Sequence, residues 1–393
     1  MASGYKFTYN NATVDLSDVY MEKYYMLNSS GILFAIGSNG SGRLGDNTTT
    51  SRSSPVQTIA GGTSWAKAST GGGGFSAAIK SDGTLWLWGI GTNGQLGDGT
   101  YTSKSSPVQI FGAGAWASVS AGQYHAAAVK TDGTIYCWGF SGDCRLGFRD
   151  TNLESYISPM PNISAATNWS KVSCGYAHSA AIKTDGSLWS WGVNSSGQLG
   201  EGSTYGYCNL FDVRVNQEIT ASYDWDQAEC GRAHTAAIKT NGTLWMWGYN
   251  GLGTLGDGTA TDRSSPVQTI GSNWKQVSTL YHHTAAVKHD GTLWCWGYNS
   301  NGQLGDNTTI NRSSPVQTVA GGTDWYAVSC GYFHTIAIKK NGTVYFWGDN
   351  GSGQFGNNST TGCSSPIQTI SQSKWKSIDG GNSISLLILS SDT

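Results

Sequence analysis

The sequence predicts an all-β chain, a closed seven-bladed β-propeller, from three observations: a Trp-Gly anchor recurring about every fifty residues, a second tryptophan recurring in step with it, and two chain ends that complete one repeat between them. With 393 residues the chain could hold two or three ordinary domains or one repeat array. The anchor glycines are Gly37, Gly89, Gly139, Gly192, Gly248, Gly297 and Gly348, at intervals of 52, 50, 53, 56, 49 and 51 residues. Trp65, Trp116, Trp169, Trp225, Trp274, Trp325 and Trp375 give the same count of seven. The other ten of the 17 tryptophans precede the anchor glycine directly or by two residues further, so none lies outside the repeat.

Each unit reads as short strands. Ala77-Ala78-Ile79-Lys80 and Leu85-Trp86-Leu87-Trp88 flank Asp82-Gly83, the chemistry of a tight hairpin turn, and Asp-Gly or Asn-Gly recurs at 132–133, 185–186, 241–242, 290–291 and 341–342. A Gly-rich segment follows, as in Asn299-Ser300-Asn301-Gly302-Gln303-Leu304-Gly305-Asp306, and then Ser-Ser-Pro-Val-Gln, whose proline suits a strand edge. The C-terminal run Gly380–Leu389 stops where its hairpin turn should come, and Ser30–Gly37 supplies the missing half. That predicts one blade closed by N- and C-terminal strands, which leaves no exposed sheet edge. The domain reading is an arm over residues 1–28 and a propeller over 29–393.

The pattern G-x-x-H-[ST]-x-A-[IV]-K, then D-G-T-L-W-x-W-G, then N-x-x-G-Q-L-G, resembles the regulator-of-chromosome-condensation repeat family over residues 29–393. The resemblance implies the propeller fold. It leaves function open, because the family's fold carries nucleotide exchange, light sensing, enzyme inhibition and scaffolding.

Composition excludes some classes. Only 12% of residues are charged and the net charge is -2, against the strongly basic face of a nucleic-acid binder, so nucleic acid is not an expected partner. The N-terminus lacks the apolar core of a signal peptide, and no run approaches the roughly 18 apolar residues of a membrane span, so neither export nor membrane insertion is expected. Of the eight cysteines, Cys174, Cys230 and Cys330 share one repeat position and Cys137 and Cys295 another. Equivalent positions fall on different blades, too far apart to bridge, and read as small buried residues.

His125, His178, His234, His283 and His334 share a further position, occupied by Phe75 and Ser383 in the two remaining units. One imidazole per blade does not converge on a metal, which needs three or four ligands within about 2.1 Å of one point, so the expected role is structural hydrogen bonding. Asp46, Asp98, Asp257, Asp306 and Glu201 follow the Gly-rich segment without calcium-loop spacing and read as turn formers. Arg52, Lys104, Arg263 and Arg312 read as a solvated basic rim, with an acidic partner as the alternative. No nucleophile and base, P-loop or zinc-protease helix occurs; the expectation is a protein that is not an enzyme and holds no cofactor and no metal.

Departures from the repeat are the candidate sites. Units three and four break the pattern in loops carrying Phe148, Arg149 and Tyr156, and Tyr205, Tyr207 and Phe211, a candidate partner or glycan patch. The arm carries Val19, Tyr20, Tyr24 and Tyr25, a candidate docking segment. Regularity, low charge and the arm resemble propellers of this family encoded by bacteriophages. The resemblance implies a virion-surface component (tail appendage, baseplate or capsid decoration) whose partners are other virion proteins and a host-surface glycan or protein. The alternative is a bacterial cytoplasmic propeller acting as an enzyme inhibitor or scaffold. A guanine-nucleotide exchange factor fits less well, because no basic tail or long inserted wedge is present.

Overall fold

The computed structural model describes residues 6–9, 12–15, 31–110, 114–147, 154–161, 166–205, 216–217, 223–370 and 374–390. A short hairpin, β1 (Lys6–Tyr9) with β2 (Ala12–Asp15), precedes the repeats, and four-stranded antiparallel units make up the rest. After β3 (Gly31–Gly37) and β4 (Arg52–Gln57), the first unit complete in sequence is β5 (Trp65–Thr70), β6 (Phe75–Lys80), β7 (Leu85–Gly89) and β8 (Lys104–Ile110). It is followed by β9 (Trp116–Ala121), β10 (His125–Lys130), β11 (Ile135–Phe140) and β12 (Ser155–Pro161), and by β13 (Trp169–Cys174), β14 (His178–Lys183), β15 (Leu188–Gly192) and β16 (Asn216–Gln217). Three more follow: β17 (Trp225–Cys230), β18 (His234–Lys239), β19 (Leu244–Gly248) and β20 (Arg263–Gln268); β21 (Trp274–Thr279), β22 (His283–Lys288), β23 (Leu293–Gly297) and β24 (Arg312–Gln317); β25 (Trp325–Cys330), β26 (His334–Lys339), β27 (Val344–Gly348) and β28 (Cys363–Gln368). Last come β29 (Trp375–Gly380) and β30 (Ile384–Ser390); β30 pairs with β3 from Gly31↔Ser390 to Gly37↔Ile384, and β3 with β4.

First strands pack in succession, β5 on β9, β9 on β13, and so on to β25 on β29, and β29 also packs on β5. Second strands are buried up to their last residue, and His125-Ala126-Ala127-Ala128-Val129-Lys130 throughout, because both faces lie under neighbouring units. Outer strands such as β24 stay half-exposed and take the proline, whose missing N–H goes unneeded at an edge.

Local chemistry fixes each hairpin. The Asp82 carboxylate accepts the Thr84 N–H at 2.9 Å and its hydroxyl at 2.7 Å, and Asp132, Asp185, Asn241, Asp290 and Asn341 repeat the bond. The lysine ending the second strand lies over two rings, as Lys80 does over Trp65 at 4.8 Å and Trp86 at 4.6 Å.

Neighbouring units are stitched by the anchor tryptophan. Trp138 Nε1 donates to the Gln95 carbonyl at 3.0 Å, and Trp88, Trp191, Trp247, Trp296 and Trp347 do likewise to the preceding Gly-rich loops. Gly97, at φ +70°, lies flat on that indole; a Cβ there would stand 2.7 Å from Trp138 Nε1.

The structure corrects two register readings. Ile384, not Ser383, faces the anchor glycine as the histidines do, and Ser383 sits in the turn before it at φ +56°. Tyr156 is 9% exposed, paired with Gly139 in β12 and part of the apolar core, so it packs rather than recognises.

Candidate functional site

The predicted histidine position is a hydrogen-bond relay between units. His178 Nε2 meets Thr235 Oγ1 at 2.9 Å, and that hydroxyl donates to the Gln198 carbonyl at 2.8 Å; His125–Ser179, His283–Thr335 and His334–Ser385 repeat the arrangement. Because the hydroxyl hydrogen is spent on the carbonyl, each ring must donate from Nε2, and with no acceptor at the buried Nδ1 the neutral ring is favoured. Burial enforces this, lowering His178 to about 4 and His283 to about 3. Among the described residues no cluster of three or more metal-ligating side chains occurs.

The basic rim is neutralised within its own loops. Arg52 pairs with Asp46 at 2.9 Å, Lys104 with Asp98 at 3.5 Å, Arg263 with Asp257 at 2.8 Å and Arg312 with Asp306 at 2.8 Å. Burial works against ionisation of Asp46, but hydrogen bonds from Thr48, Arg52 and Asn39 outweigh it and hold its carboxyl below the usual range. These aspartates are turn formers whose lone pairs are taken. Cys137, Cys174, Cys230, Cys295 and Cys330 are buried free thiols, and Cys363 is also free; Cys144 is disulfide-bonded.

Of the candidate patch, Tyr205 is 74% exposed, whereas Phe148, Arg149, Tyr207 and Phe211 lie outside the described residues, as do Val19, Tyr20, Tyr24 and Tyr25 of the arm.

A different cluster emerges where the loops between first and second strands meet. Tyr332 reaches from the β25–β26 loop to donate its hydroxyl to Gln123 in the β9–β10 loop. It passes so close to Gly72 that a Cβ there would lie 1.9 Å from the phenol oxygen, so this crossing requires glycine. Tyr332 stacks on Tyr281 with centroids 4.5 Å apart and planes 25° apart. Arg232 lies over Tyr281 at 4.9 Å and Tyr176 at 5.6 Å, and donates to Tyr281 Oη at 2.9 Å and His282 Nε2 at 3.0 Å. Burial first, and the Arg232 charge second, lower His282 to about 4, so it accepts this bond as a neutral ring. Burial raises the Tyr332 phenol, aided by the phenols of Tyr176, Tyr281 and Tyr124.

Sequence reasoning missed this cluster, although a signal existed. Between the glycine position that follows the first strand and the histidine position, the two intervening residues differ among six units: Gln123-Tyr124, Tyr176-Ala177, Arg232-Ala233, Tyr281-His282 after Leu280 in place of the glycine, Tyr332-Phe333 and Asn382-Ser383; the seventh has Gly72-Gly73-Gly74 before Phe75. Large rings and an arginine thus vary at one point of an otherwise regular scaffold, and tyrosine and arginine are residue types enriched at binding hot spots.

The RCC1-like domain model matches residues 158–393, and the regulator of chromosome condensation (RCC1) repeat model matches 82–129 and 132–182. The chain belongs to the RCC1-like domain family. It is 29% identical over 319 residues to the ultraviolet-B receptor UVR8 of Arabidopsis thaliana, covering 79% of this chain and 60% of that protein. It is also 43% identical over 99 residues to the RCC2 homolog of Danio rerio, 25% of this chain and 19% of that one. The chain spans between 18% and 60% of the length of these and other curated relatives it matches. Among solved structures, Prp20p of Saccharomyces cerevisiae, described with its binding to Gsp1p and histones, superposes with a TM-score of 0.80 at 18% identity over 94% of this chain and 95% of that one. Human WBSCR16 gives 0.79 at 18% identity over 93% and 100%. At such identities these neighbours share the RCC1-like fold of four-stranded sheets, and nothing more is carried over from them.

Proposed function

We propose that this chain is a non-catalytic protein-binding propeller, closed as a ring of seven blades with β29, β30, β3 and β4 as the terminal-strand blade, that engages its partner through the Tyr–Arg cluster. The carrying observation is the gathering of Tyr124, Tyr176, Arg232, Tyr281 and Tyr332 from separate loops onto one surface held by the rigid ring. Each repeated histidine is buried with its Nε2 bonded to a hydroxyl of the next unit, and the rim aspartates are bonded within their own loops, which supports a binding rather than a catalytic role.

A photo-crosslinking amino acid placed at Phe333, and separately at Tyr205, tests the reading. The Phe333 variant should capture a protein, identified by mass spectrometry, whose reconstituted binding is lost on Tyr281→Ala. Capture only from Tyr205 would move the interface to the loops of blades three and four. The virion-surface setting rests on sequence resemblance. It predicts that the chain copurifies with particles at a fixed stoichiometry; its absence from washed particles would favour the cytoplasmic scaffold.

A further inference from the structure

We infer that the Tyr–Arg cluster recognises an acidic peptide segment of its partner, with Arg232 as the counter-charge; this rests on the binding reading above. Among the described residues many cations have their own carboxylate. The rim arginines and Lys104 have their aspartates, Arg145 pairs with Asp143 at 2.7 Å, Lys239 with Asp224 at 3.2 Å and Lys339 with Asp324 at 3.0 Å. Arg232 stands apart. Its guanidinium is half-buried against two phenol rings, its hydrogen-bond acceptors are the neutral groups Tyr281 and His282, and among the described residues no carboxylate pairs with it.

Arg43, at the same end, repeats the condition. Its Nη1 donates to the Asn382 carbonyl at 3.3 Å, its Nε is buried with no partner, and burial lowers its pKa. A cation withdrawn from water without an anion is unfavourable, and a carboxylate arriving with a ligand removes that penalty while gaining a charge-assisted fork of hydrogen bonds. The surrounding rings supply apolar contact for the peptide on either side of the acid. Two separate arginines, Arg232 among tyrosines and Arg43 beside Asn382, on a chain of net charge -2, fit discrete carboxylates rather than the continuous phosphate track of a nucleic acid.

The test uses the purified full chain and fluorescence anisotropy of a labelled peptide of four Gly-Glu repeats. Its Gln counterpart and a ten-nucleotide oligothymidylate serve as comparisons. Saturable binding of the glutamate peptide below about 1 mM is expected, weakened by salt, absent for the Gln peptide and reduced about tenfold or more by Arg232→Gln. Arg232→Lys should recover part of it, keeping charge without the fork. Arg52→Gln, which removes a cation already paired with Asp46, should leave it unchanged. Thermal midpoints identify any variant that fails to fold, in which case the salt dependence and the Gln peptide still decide. No saturable binding, equal binding of the Gln peptide, indifference to Arg232→Gln in a folded variant, or tighter binding of the oligothymidylate would overturn the inference. If crosslinking at Phe333 succeeds while the glutamate peptide fails, the cluster is an interface that reads something other than carboxylate.

Discussion

Truncating Trp296 to alanine is expected to destabilise the protein by about 3–5 kcal/mol, the range for emptying a large aromatic site in a close-packed core. The indole is fully buried, tilts against Trp274 with centroids 5.7 Å apart, and donates to the Thr254 carbonyl of the neighbouring unit at 2.9 Å. Gly256 covers it so closely that a Cβ would stand 2.7 Å from Nε1, so the surrounding backbone has little room to collapse into the gap. The carbonyl keeps a second donor, Thr284 Oγ1 at 3.1 Å; the loss is therefore mainly packing, and Trp296→Phe should recover part of it. Trp294, two residues away, is the contrast. It is half-buried, bonds locally to Thr292 Oγ1 at 2.9 Å and lies under Lys288, so Trp294→Ala should cost about 1 kcal/mol. Urea unfolding followed by fluorescence measures both. Near-equal midpoints for the two variants would mean that the inter-unit stitch contributes little.

Much of this architecture was legible because two periodicities coincide, strand alternation within a unit and fifty-residue spacing between units. The pairing of β3 with β30 was readable from the half-repeats at the ends. Register at that seam was not: Gly380 and Gly381 are adjacent, and counting from the wrong one puts Ser383 where the ladder places Ile384. The bond from the Gly381 N–H to the Ile384 carbonyl, matching that from Gly122 to His125, resolves it. Tyr156 misled for a different reason. It interrupts the repeat, but alternation along β12 turns its ring to the core, and interruption alone does not reveal direction. The Tyr–Arg cluster was invisible to a search for repeated chemistry because it is built from positions that do not repeat. Its assembly depends on loops far apart in sequence meeting, as Tyr332 meets Gln123.

Two departures from the repeat, Glu229 and Asp379, should withdraw stability as pH rises from about 5 to 8, against the opposite trend set by the buried histidines. At one position near the end of the first strand, Ser69, Ser120, Ser173, Ser278 and Ser329 each accept a backbone N–H from the next unit, at 2.9–3.1 Å. Asp379 takes that role toward Thr70 at 2.5 Å, while Glu229 occupies the same position between Gln227 and Ser173. Burial raises both carboxyls to about 7; Asp379 raises Glu229 further, and hydrogen bonds together with Lys171, itself paired with Asp226, offset only part of this. Unfolded, the two ionise near 4.5 and 3.8. The folded state therefore holds protons that the unfolded state has released, so the stabilisation is complete below the unfolded values and is lost as pH climbs through about 7. Asp46, Asp257 and Asp306 act oppositely, their lowered values giving stability that is lost in acid. So do the buried imidazoles: His178, His282 and His334, at about 4, and His283, at about 3, against 6.5 unfolded, give stability that is complete above the unfolded value and lost as pH falls. They outnumber the two carboxyls, so total stability should rise from about pH 4 to about pH 7, with the carboxyls seen as a shortfall on that rise. Glu229→Ser, which restores the serine of the other units, should leave stability at pH 5 nearly unchanged and raise it at pH 8 by about 1–3 kcal/mol. Parallel pH profiles for the two proteins, measured by urea unfolding between pH 4 and pH 9, would show that Glu229 is ionised in the folded state throughout and would remove this account of Glu229.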